Sequence, residues 1–435
     1  MFDGKSCEYS TSKVSKVMSK KKFNTIDLFA GCGGLLDGFM QEGGYNTLAC
    51  VEWDQFPCQT LANRLKNKWH HIDAEEEVVR FDIQRTEELI QGFDDNEYGK
   101  HIGLDKLVGS KKVDVIIGGP PCQAYSLAGR IRDPHGMRND YRNYLFESYI
   151  RILKHFKPTV FVFENVVGML SAAPDGMPIV EKISKAFDEA GYQVIDDFKN
   201  AVYDVADFGI PQHRKRVIIL GVNKTLEKKE KGICQRILDD FYLKQMPFFN
   251  KRAKLSTVKD AIGDLPVLKP SKDIIKKDGH KYSHIPIDGD GVMNHIPRFH
   301  SDRDQKIFAM LGNDIASGRN EYVSTDALKA LYTKMTGKKS NIHKYYVLRW
   351  NEPSNTIPAH LYKDGMRHIH PDPMQARSIT VREAARLQTF ADDFEFLGPM
   401  MAQYKMIGNA VPSNFATIIA KGLHKILTQY VIYNN

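Results

Sequence analysis

From residue 23 to residue 222, short apolar runs alternate with segments of helical periodicity. The runs have the length and the Val, Ile and Phe content of buried strands. They are Thr25–Phe29, Thr47–Val51, Val78–Ile83, Val113–Ile117, Thr159–Phe163 and Arg216–Val222. Between two of them, Asn143–Phe156 repeats apolar residues on one helical face, and Pro158 stops it. This alternation predicts a doubly wound α/β sheet.

The size of the chain predicts more than one domain, because 435 residues exceed the usual extent of a single hydrophobic core. No stretch reaches the roughly 18 to 20 apolar residues of a membrane span. Residues 1–22 are basic and lack the apolar segment of a secretory signal. We therefore expect a cytoplasmic protein that has no membrane partner.

The cysteines argue against a zinc site and against a disulfide framework, because no two of them are spaced as C-x-x-C. We expect no metal, and we expect most of the six thiols to be small buried side chains.

Positive charge is concentrated in the middle of the chain. Residues 223–375 contain 27 Lys and Arg against 18 Asp and Glu, although the net charge of the whole chain is only +8. The tail at 1–22 contains 6 against 2, so the remaining residues are net acidic. Any single lysine is best explained by a solvated surface, but this contrast is expected of a segment that contacts nucleic acid.

The alternation of strands and helices stops after Val222, where the sequence becomes Lys-rich and is interrupted by prolines. Regular structure returns at Ser378–Phe390, where Thr380 and Glu383 have the spacing of a capping box. We therefore predict an α/β domain at 23–222 that is completed by 376–435, and a smaller irregular domain at 223–375. Residues 1–22 are expected to be a disordered tail, and residues 84–112 a polar, loop-like insertion.

Cys122 follows two prolines at the point where the run Val113–Ile117 enters a loop. The run Thr159–Phe163 leads into Glu164 in the same way. Because the carboxyl ends of parallel strands meet at one edge of a sheet, a thiol and a carboxyl group are expected to converge there. A cysteine so placed can act as a nucleophile, whereas an isolated cysteine is usually an inert buried thiol.

A second group of residues is typical of a nucleotide-like ligand. Gly31 and Gly33 let the backbone turn tightly after the first strand, next to a ligand. Glu52 ends the second strand, 19 residues after Gly33, where a carboxylate can bind ribose hydroxyls. Trp53 offers a flat face for adenine, and Asp82 can accept a hydrogen bond from its amino group. Taken singly, the glycines could form a plain turn and Trp53 could be a core residue.

Together with Gly408–Pro412 near the C-terminus, these motifs occur in the order in which they are found in the DNA (cytosine-5) methyltransferases of restriction-modification systems, which the chain resembles. The resemblance covers about 200 residues on the N-terminal side and about 60 at the C-terminal end, without specific matches in the middle. It implies a Rossmann-like domain that binds S-adenosyl-L-methionine and acts on double-stranded DNA. The full G-x-G-x-x-G fingerprint is absent, as expected for a cofactor without a pyrophosphate.

The resemblance also implies roles for single residues. Cys122 would add to C6 of cytosine, Glu164 would act at N3, and Arg214 and Arg216 would bind the cytosine O2 and nearby phosphates and orient Glu164. Around the cofactor it implies Phe29, Gly31, Cys32, Gly33, Glu52, Trp53, Asp82, Ile83, Pro121, Asn409 and Val411. A cysteine suits the first role because it is strongly nucleophilic and also leaves readily.

In the same family, residues 223–375 correspond to a target-recognition domain, and residues 123–142 to a mobile loop that closes over a base rotated out of the duplex. The sequence leaves open whether the arginines of this domain read guanine or hold phosphates. They are Arg298, Arg303, Arg319, Arg349 and Arg367. The chain is compatible with a monomer and with a functional pairing with a restriction endonuclease.

Three other functions stay open at this point. An enzyme of the same family could act on transfer RNA, although the size and charge of the middle segment favour duplex DNA. A catalytically silent DNA-binding subunit is disfavoured because Cys122, Glu164, Arg214 and Arg216 are all present. A small-molecule methyltransferase would leave the basic segment without an explanation.

Overall fold

The computed structural model describes residues 20–121, 145–173, 176–277, 280–285, 292–339, 344–363 and 365–432. Cys122, the predicted loop 123–142 and most of the predicted tail 1–22 lie outside these residues.

A central sheet of eight strands organises the molecule. The strands of the described residues are β1 (Phe23–Leu28), β2 (Tyr45–Glu52), β3 (Val78–Arg80), β4 (Phe93–Asp95), β5 (Gly99–His101), β6 (Val115–Gly118), β7 (Val160–Val166), β8 (Tyr192–Gln193), β9 (Val202–Asp204), β10 (Lys215–Asn223), β11 (Pro270–Lys277) and β12 (His280–His284). The central order is β3-β2-β1-β6-β7-β10-β8, with β9 also paired to β10. The first five of these are parallel, and β10 is antiparallel to its neighbours.

The helices of the described residues are α1 (Gly34–Glu42), α2 (Gln55–Trp69), α3 (Ala74–Glu77), α4 (Thr86–Gln91), α5 (Leu104–Val108), α6 (Leu145–Phe156), α7 (Ile179–Glu189), α8 (Ile233–Asp239), α9 (Met246–Asn250), α10 (Val258–Ile262), α11 (Asp302–Ala316), α12 (Thr325–Thr336), α13 (Val381–Leu387), α14 (Met400–Asn409) and α15 (Ser413–Leu427). Helix α6 lies on β6 and β7, where Tyr149 packs edge-on against Phe161 and Phe163. Helix α15 packs against α1, and Tyr45 of β2 donates a hydrogen bond to the Ala420 carbonyl.

This architecture confirms the predicted doubly wound α/β fold. Each predicted strand is present, with ends that differ by a few residues. The chain builds outward from β1 to β3 and then restarts on the other side of β1 with β6. The strand order therefore reverses between β1 and β6, and ligands bind at such reversals in open α/β sheets.

The loop-like interpretation of residues 84–112 is wrong. They form helix α4, the hairpin β4–β5 and helix α5. Leu89, Phe93 and Leu104 are buried, and the Phe93 ring stacks on Phe81 with centroids 3.8 Å apart. The segment looked polar because its few apolar residues are widely spaced, yet Leu89, Phe93, Leu104 and Val108 belong to the main core.

The apolar side chains form separate cores. The first surrounds the central sheet and extends along the chain through Met246, beyond the residue 222 at which the first predicted domain part ends. The second joins α10 to residues 348–407, and the third lies between α11 and α12. The assignment of 223–375 as a separate domain stays a prediction.

Within the described ranges, no helix is long and apolar enough to cross a membrane. The same residues contain no group of His, Cys, Asp and Glu side chains that could hold a metal ion.

Candidate active site

The loop after β1 has an unusual backbone. Phe29, Gly31 and Gly33 all have positive φ angles, of 58°, 56° and 91°. Glycine adopts this conformation without strain, whereas Phe29 adopts it at an energetic cost. A Cβ on Gly33 would lie 2.5 Å from Leu61 Cδ1, but a Cβ on Gly31 would meet nothing within 4 Å. The loop therefore turns tightly and leaves open space beside Gly31.

Glu52 closes one side of this loop. Its Oε2 accepts a hydrogen bond from the Gly31 amide at 2.9 Å, and its Oε1 accepts from the Trp53 and Asp54 amides at 3.0 and 2.9 Å. Burial raises the pKa of Glu52, and these amide donors oppose the increase. A carboxylate has about four acceptor positions, so in this conformation one is left for a ligand hydroxyl.

Beside Glu52, the side chain of Trp53 is 56% exposed, although tryptophan side chains are on average largely buried. Asp82 follows β3 and is half-buried, and its Oδ1 accepts a hydrogen bond from the Gln84 amide at 3.0 Å. Ile83 is buried beneath it. The ends of β1, β2 and β3 thus place an acid, an aromatic face and a second acid along one edge of the sheet.

The C-terminal segment reaches the same loop. A Cβ on Gly34 would lie 2.6 Å from the Val411 carbonyl oxygen, so only glycine permits this approach. Val411 is buried, and Asn409 at the end of α14 is exposed. Cys32 is 1% exposed and its side chain lies in the second apolar core, so that only its backbone is available to a ligand.

Glu164 and Arg216 form an ion pair at the end of the neighbouring strands. Arg216 Nε lies 2.7 Å from Glu164 Oε1, and both side chains are largely buried. Val166 and Arg216 pair directly across β7 and β10, which puts Arg216 on the face that carries Glu164. Burial lowers the pKa of Arg216, and Glu164 opposes this shift. Arg216 is thus in contact with Glu164, and its predicted role of orienting this acid during a reaction stays a prediction.

The strand that leads to Cys122 lies against the same carboxylate. A Cβ on Gly119 would be 2.6 Å from Glu164 Oε2, so a side chain at this position would displace the acid. Asn165 Nδ2 donates a hydrogen bond to the Pro120 carbonyl at 3.3 Å. The described residues therefore bring the backbone up to Pro121, the neighbour of Cys122, beside Glu164.

Arg214 has surroundings that its sequence motif does not reveal. Its guanidinium is 1% exposed and donates to the carbonyl oxygens of Ile357 and Gly408, both at 3.0 Å. Burial, together with Arg216, lowers the pKa of Arg214 well below its ordinary value. In this conformation the guanidinium joins the catalytic edge to two remote segments, whereas Arg216 is the residue that contacts Glu164.

Two glutamines support this junction and were not singled out from the sequence. Gln212 donates to Gln388 Oε1 at 3.0 Å and accepts from the Ile357 amide at 2.9 Å. Gln388 in turn donates to the Ile407 carbonyl at 2.7 Å. Both glutamines are fully buried within motifs that were noted for other residues. The sequence does offer a signal for them, because each is a polar residue without an assigned role that lies close to residues already noted: Gln212 precedes Arg214, and Gln388 lies within Ser378–Phe390.

The five arginines of the basic segment are not equivalent. Arg298 is held by carbonyl oxygens, at 3.0 Å from Leu361 and 2.5 Å from Tyr362, and lies over the Tyr404 ring. Its donors are thus engaged within the protein. Arg303 and Arg349 make ion pairs with nearby acids on the surface.

The described residues thus gather most of the predicted site residues at the carboxyl edge of a mostly parallel α/β sheet. The sequence profile of the C-5 cytosine-specific DNA methylases matches residues 23–425. The chain therefore belongs to the C-5 cytosine-specific DNA methylase family, and it is a methyltransferase.

Two similar proteins align with this chain over most of the length of both sequences. The type II methyltransferase M.Bpa9945I of Bacillus paralicheniformis is 34% identical, over 92% of this chain and 98% of its own. The type II methyltransferase M.DdeI of Desulfomicrobium norvegicum is 31% identical, over 92% and 88%.

Solved structures agree with the fold. A protein described as a DNA modification methyltransferase, encoded within an E. coli prophage, has a TM-score of 0.57 and 26% identity, over 93% of this chain and 99% of its own. The S. pombe Dnmt2 methyltransferase has a TM-score of 0.51 and 13% identity, over 94% and 99% of the two chains, and supports the fold alone.

Proposed function

We propose that this enzyme transfers a methyl group from S-adenosyl-L-methionine to C5 of a cytosine that is rotated out of a specific double-stranded DNA sequence. Cys122 bonds transiently to C6 of the ring. The observation that carries this proposal is the Arg216–Glu164 ion pair at 2.7 Å, set against the backbone that leads to Cys122. It supplies an oriented acid next to the backbone segment that leads to a cysteine, and this reaction requires both groups.

C5 of cytosine is a poor nucleophile until a group adds at C6. The thiolate of Cys122 forms a bond to C6, and electron density moves toward N3. Glu164 meets this density with a proton or a strong hydrogen bond, which lowers the barrier. C5 then takes the methyl group, and loss of the C5 proton and departure of the thiolate restore the aromatic ring.

The ion pair determines which carboxylate oxygen of Glu164 can interact with N3 of the cytosine. Arg216 engages Oε1 of Glu164, while Oε2 faces Gly119 and the path to Cys122. We therefore assign Oε2 as the atom that acts at N3. Arg216 stabilises the charge that Glu164 carries when the proton is on the base.

The residues at the loop after β1 fit the cofactor. Open space lies beside Gly31, Glu52 keeps one free acceptor position, and the exposed indole of Trp53 offers a stacking face. S-adenosyl-L-methionine, when bound, supplies an electrophilic methyl group on a sulfonium sulfur. Phe29, Gly31, Glu52, Trp53 and Asp82 would hold it, with Ile83, Pro121, Asn409, Val411 and the backbone of Cys32 and Gly33 around it.

DNA recognition is assigned to residues 223–375, whose 27 basic residues outnumber 18 acidic ones. Type II methyltransferases of two bacteria are similar over most of their length, which supports a cytoplasmic role in a restriction-modification system. We propose a monomer that protects DNA from a partner endonuclease.

Bisulfite sequencing of DNA from cells that express the protein tests activity and target sequence together. The expected result is one methylated sequence context; transfer of labelled methyl groups to transfer RNA alone would favour the RNA-modifying alternative.

A duplex with 5-fluorocytosine at the target then tests the chemistry. With cofactor it should trap a denaturant-resistant adduct through Cys122, and Cys122→Ser should abolish both the adduct and methylation while cofactor binding persists. An adduct in the Ser variant would refute the role of Cys122.

A further inference from the structure

The hairpin β11–β12 stands apart from the apolar cores and is basic. Residues 269–284 contain five lysines against two aspartates. The hairpin forms a two-stranded sheet of its own, so neither strand has a second neighbour in the described part of the chain. A basic hairpin that packs on no apolar core is a candidate for binding a negatively charged partner.

The base of the hairpin is fixed by buried hydrogen bonds. His284 is fully buried, and its Nε2 lies 2.6 Å from the Gln375 carbonyl oxygen. The Ile285 amide donates to the Lys269 carbonyl at 2.8 Å, and the His300 amide donates to Ser283 Oγ at 2.9 Å. These contacts hold the strands where they leave the protein.

Toward the tip, like charges face each other. Lys276 pairs directly with Lys281 across the two strands, and both side chains are exposed. Directly opposed residues of an antiparallel pair share one face, and like charges in this arrangement repel. Within the described residues, no carboxylate forms an ion pair with either lysine. A polyanion would neutralise two positive charges placed in this way.

The hairpin is also tied to the catalytic edge. Gln375 Oε1 accepts from Arg377, which pairs with Glu383 at the start of α13. At the end of α13, Gln388 contacts Gln212, two residues before Arg214. Buried hydrogen bonds at both ends of α13 therefore connect the base of the hairpin, through this helix, to the segment that leads into β10.

Resting on the function proposed above, we infer that the hairpin β11–β12 is a DNA-binding element in which Lys276 and Lys281 contact backbone phosphates of the duplex that carries the target cytosine. A two-stranded ribbon fits the major groove of B-form DNA, and its lysines can reach the phosphates on either side. Because phosphate contacts carry no sequence information, these lysines contribute affinity rather than choice of target.

The test is DNA affinity as a function of salt for the full-length protein with a duplex that contains the methylated sequence. A plot of the logarithm of the binding constant against the logarithm of the salt concentration has a negative slope. The double variant Lys276→Gln/Lys281→Gln should make this slope less steep by about 0.9 for each phosphate that the protein no longer neutralises. Its target sequence should be unchanged. Lys276→Arg/Lys281→Arg should retain the slope of the parent protein, because both charges remain.

The matched control is Lys106→Gln/Lys111→Gln, which removes two exposed lysines near the amino end of β6, at the opposite edge of the sheet. Binding of S-adenosyl-L-methionine by each variant checks the fold. Equal slopes for the hairpin variant and this control would overturn the inference while leaving the proposed function intact. Absence of DNA methylation and of salt-dependent binding in the parent protein would instead refute the proposed function. Weakened binding of transfer RNA but not of DNA would also overturn the assignment.

Discussion

Arg377 and Glu383 form a two-pronged ion pair in which Nη1 to Oε2 and Nη2 to Oε1 both measure 2.7 Å. Both side chains are 1% exposed. The carboxylate also accepts from the Thr380 amide at 2.7 Å, which confirms the predicted capping box at the start of α13. Burial would raise the pKa of Glu383, but Arg377 and then His370 bring it well below its ordinary value.

Replacing this carboxylate should destabilise the protein strongly. Glu383→Gln leaves the buried Arg377 guanidinium without an opposite charge, which costs roughly 3–5 kcal/mol. The free energy of unfolding in urea measures the loss. Asp260→Asn is a matched control, because Asp260 completes a capping box with Thr257 on the surface at α10. A loss as large for Asp260→Asn would show that helix capping, rather than the ion pair, accounts for the effect.

Buried histidines should make the protein sensitive to acid. Burial lowers the pKa of His300 and His370 to about 3 and of His368 to about 4, from 6.5. The unfolded chain therefore binds protons that the folded chain does not, and stability falls as the pH drops below 6.5. The urea midpoint should decrease between about pH 7 and pH 5 at constant ionic strength.

The contribution of one histidine to this slope can be measured separately. His368→Asn removes a buried imidazole and should reduce the pH dependence of the urea midpoint. A flat profile for the parent protein would contradict the prediction.

Glu164→Gln should slow methyl transfer by a factor of roughly 10² to 10⁴, because the amide has no proton to give to N3 and no charge to pair with Arg216. Affinity for the cofactor should be retained. Single-turnover transfer of labelled methyl groups measures the chemical step. Glu88→Gln breaks another Arg–Glu pair, formed with Arg85 at the start of helix α4, and this variant should turn over normally. Similar rates for both variants would remove Glu164 from the mechanism.

Gly31→Ala should weaken cofactor binding more than it weakens the fold. Its φ of 56° makes alanine strained by about 1 kcal/mol, and the added methyl group would occupy the open space at the loop. Gly43→Ala is the control, since Gly43 has a φ of 82° and equally open surroundings at the end of α1. Calorimetric titration with S-adenosyl-L-methionine should separate them; equal affinities would place the cofactor elsewhere.

The sequence predicted the parts of the site that depend on local pattern. Strand periodicity placed Glu52 and Glu164 at strand ends, and parallel strands bring such ends together whatever else the chain does. The capping box at Thr380 and Glu383 follows from spacing alone.

The partners of these residues were less accessible to sequence reasoning. That Arg214 is buried against Ile357 and Gly408 depends on contacts more than 140 residues apart in the chain. Arg298 was a candidate for reading bases, yet its Nη1 and Nη2 donate to the carbonyl oxygens of Leu361 and Tyr362. These contacts are also distant in the sequence. Contacts between distant segments determine whether an arginine side chain is available to bind DNA, and a local sequence pattern does not predict such contacts.

The carbonyl oxygens to which Arg214 donates belong to two stretches on either side of residue 375, where the predicted target-recognition domain ends. A chimera that imports a foreign specificity module would have to reproduce the backbone near Ile357, or it would leave a charged group stranded inside the enzyme. Grafts that keep residues 354–357 from this chain should therefore yield active hybrids more often than grafts that replace them.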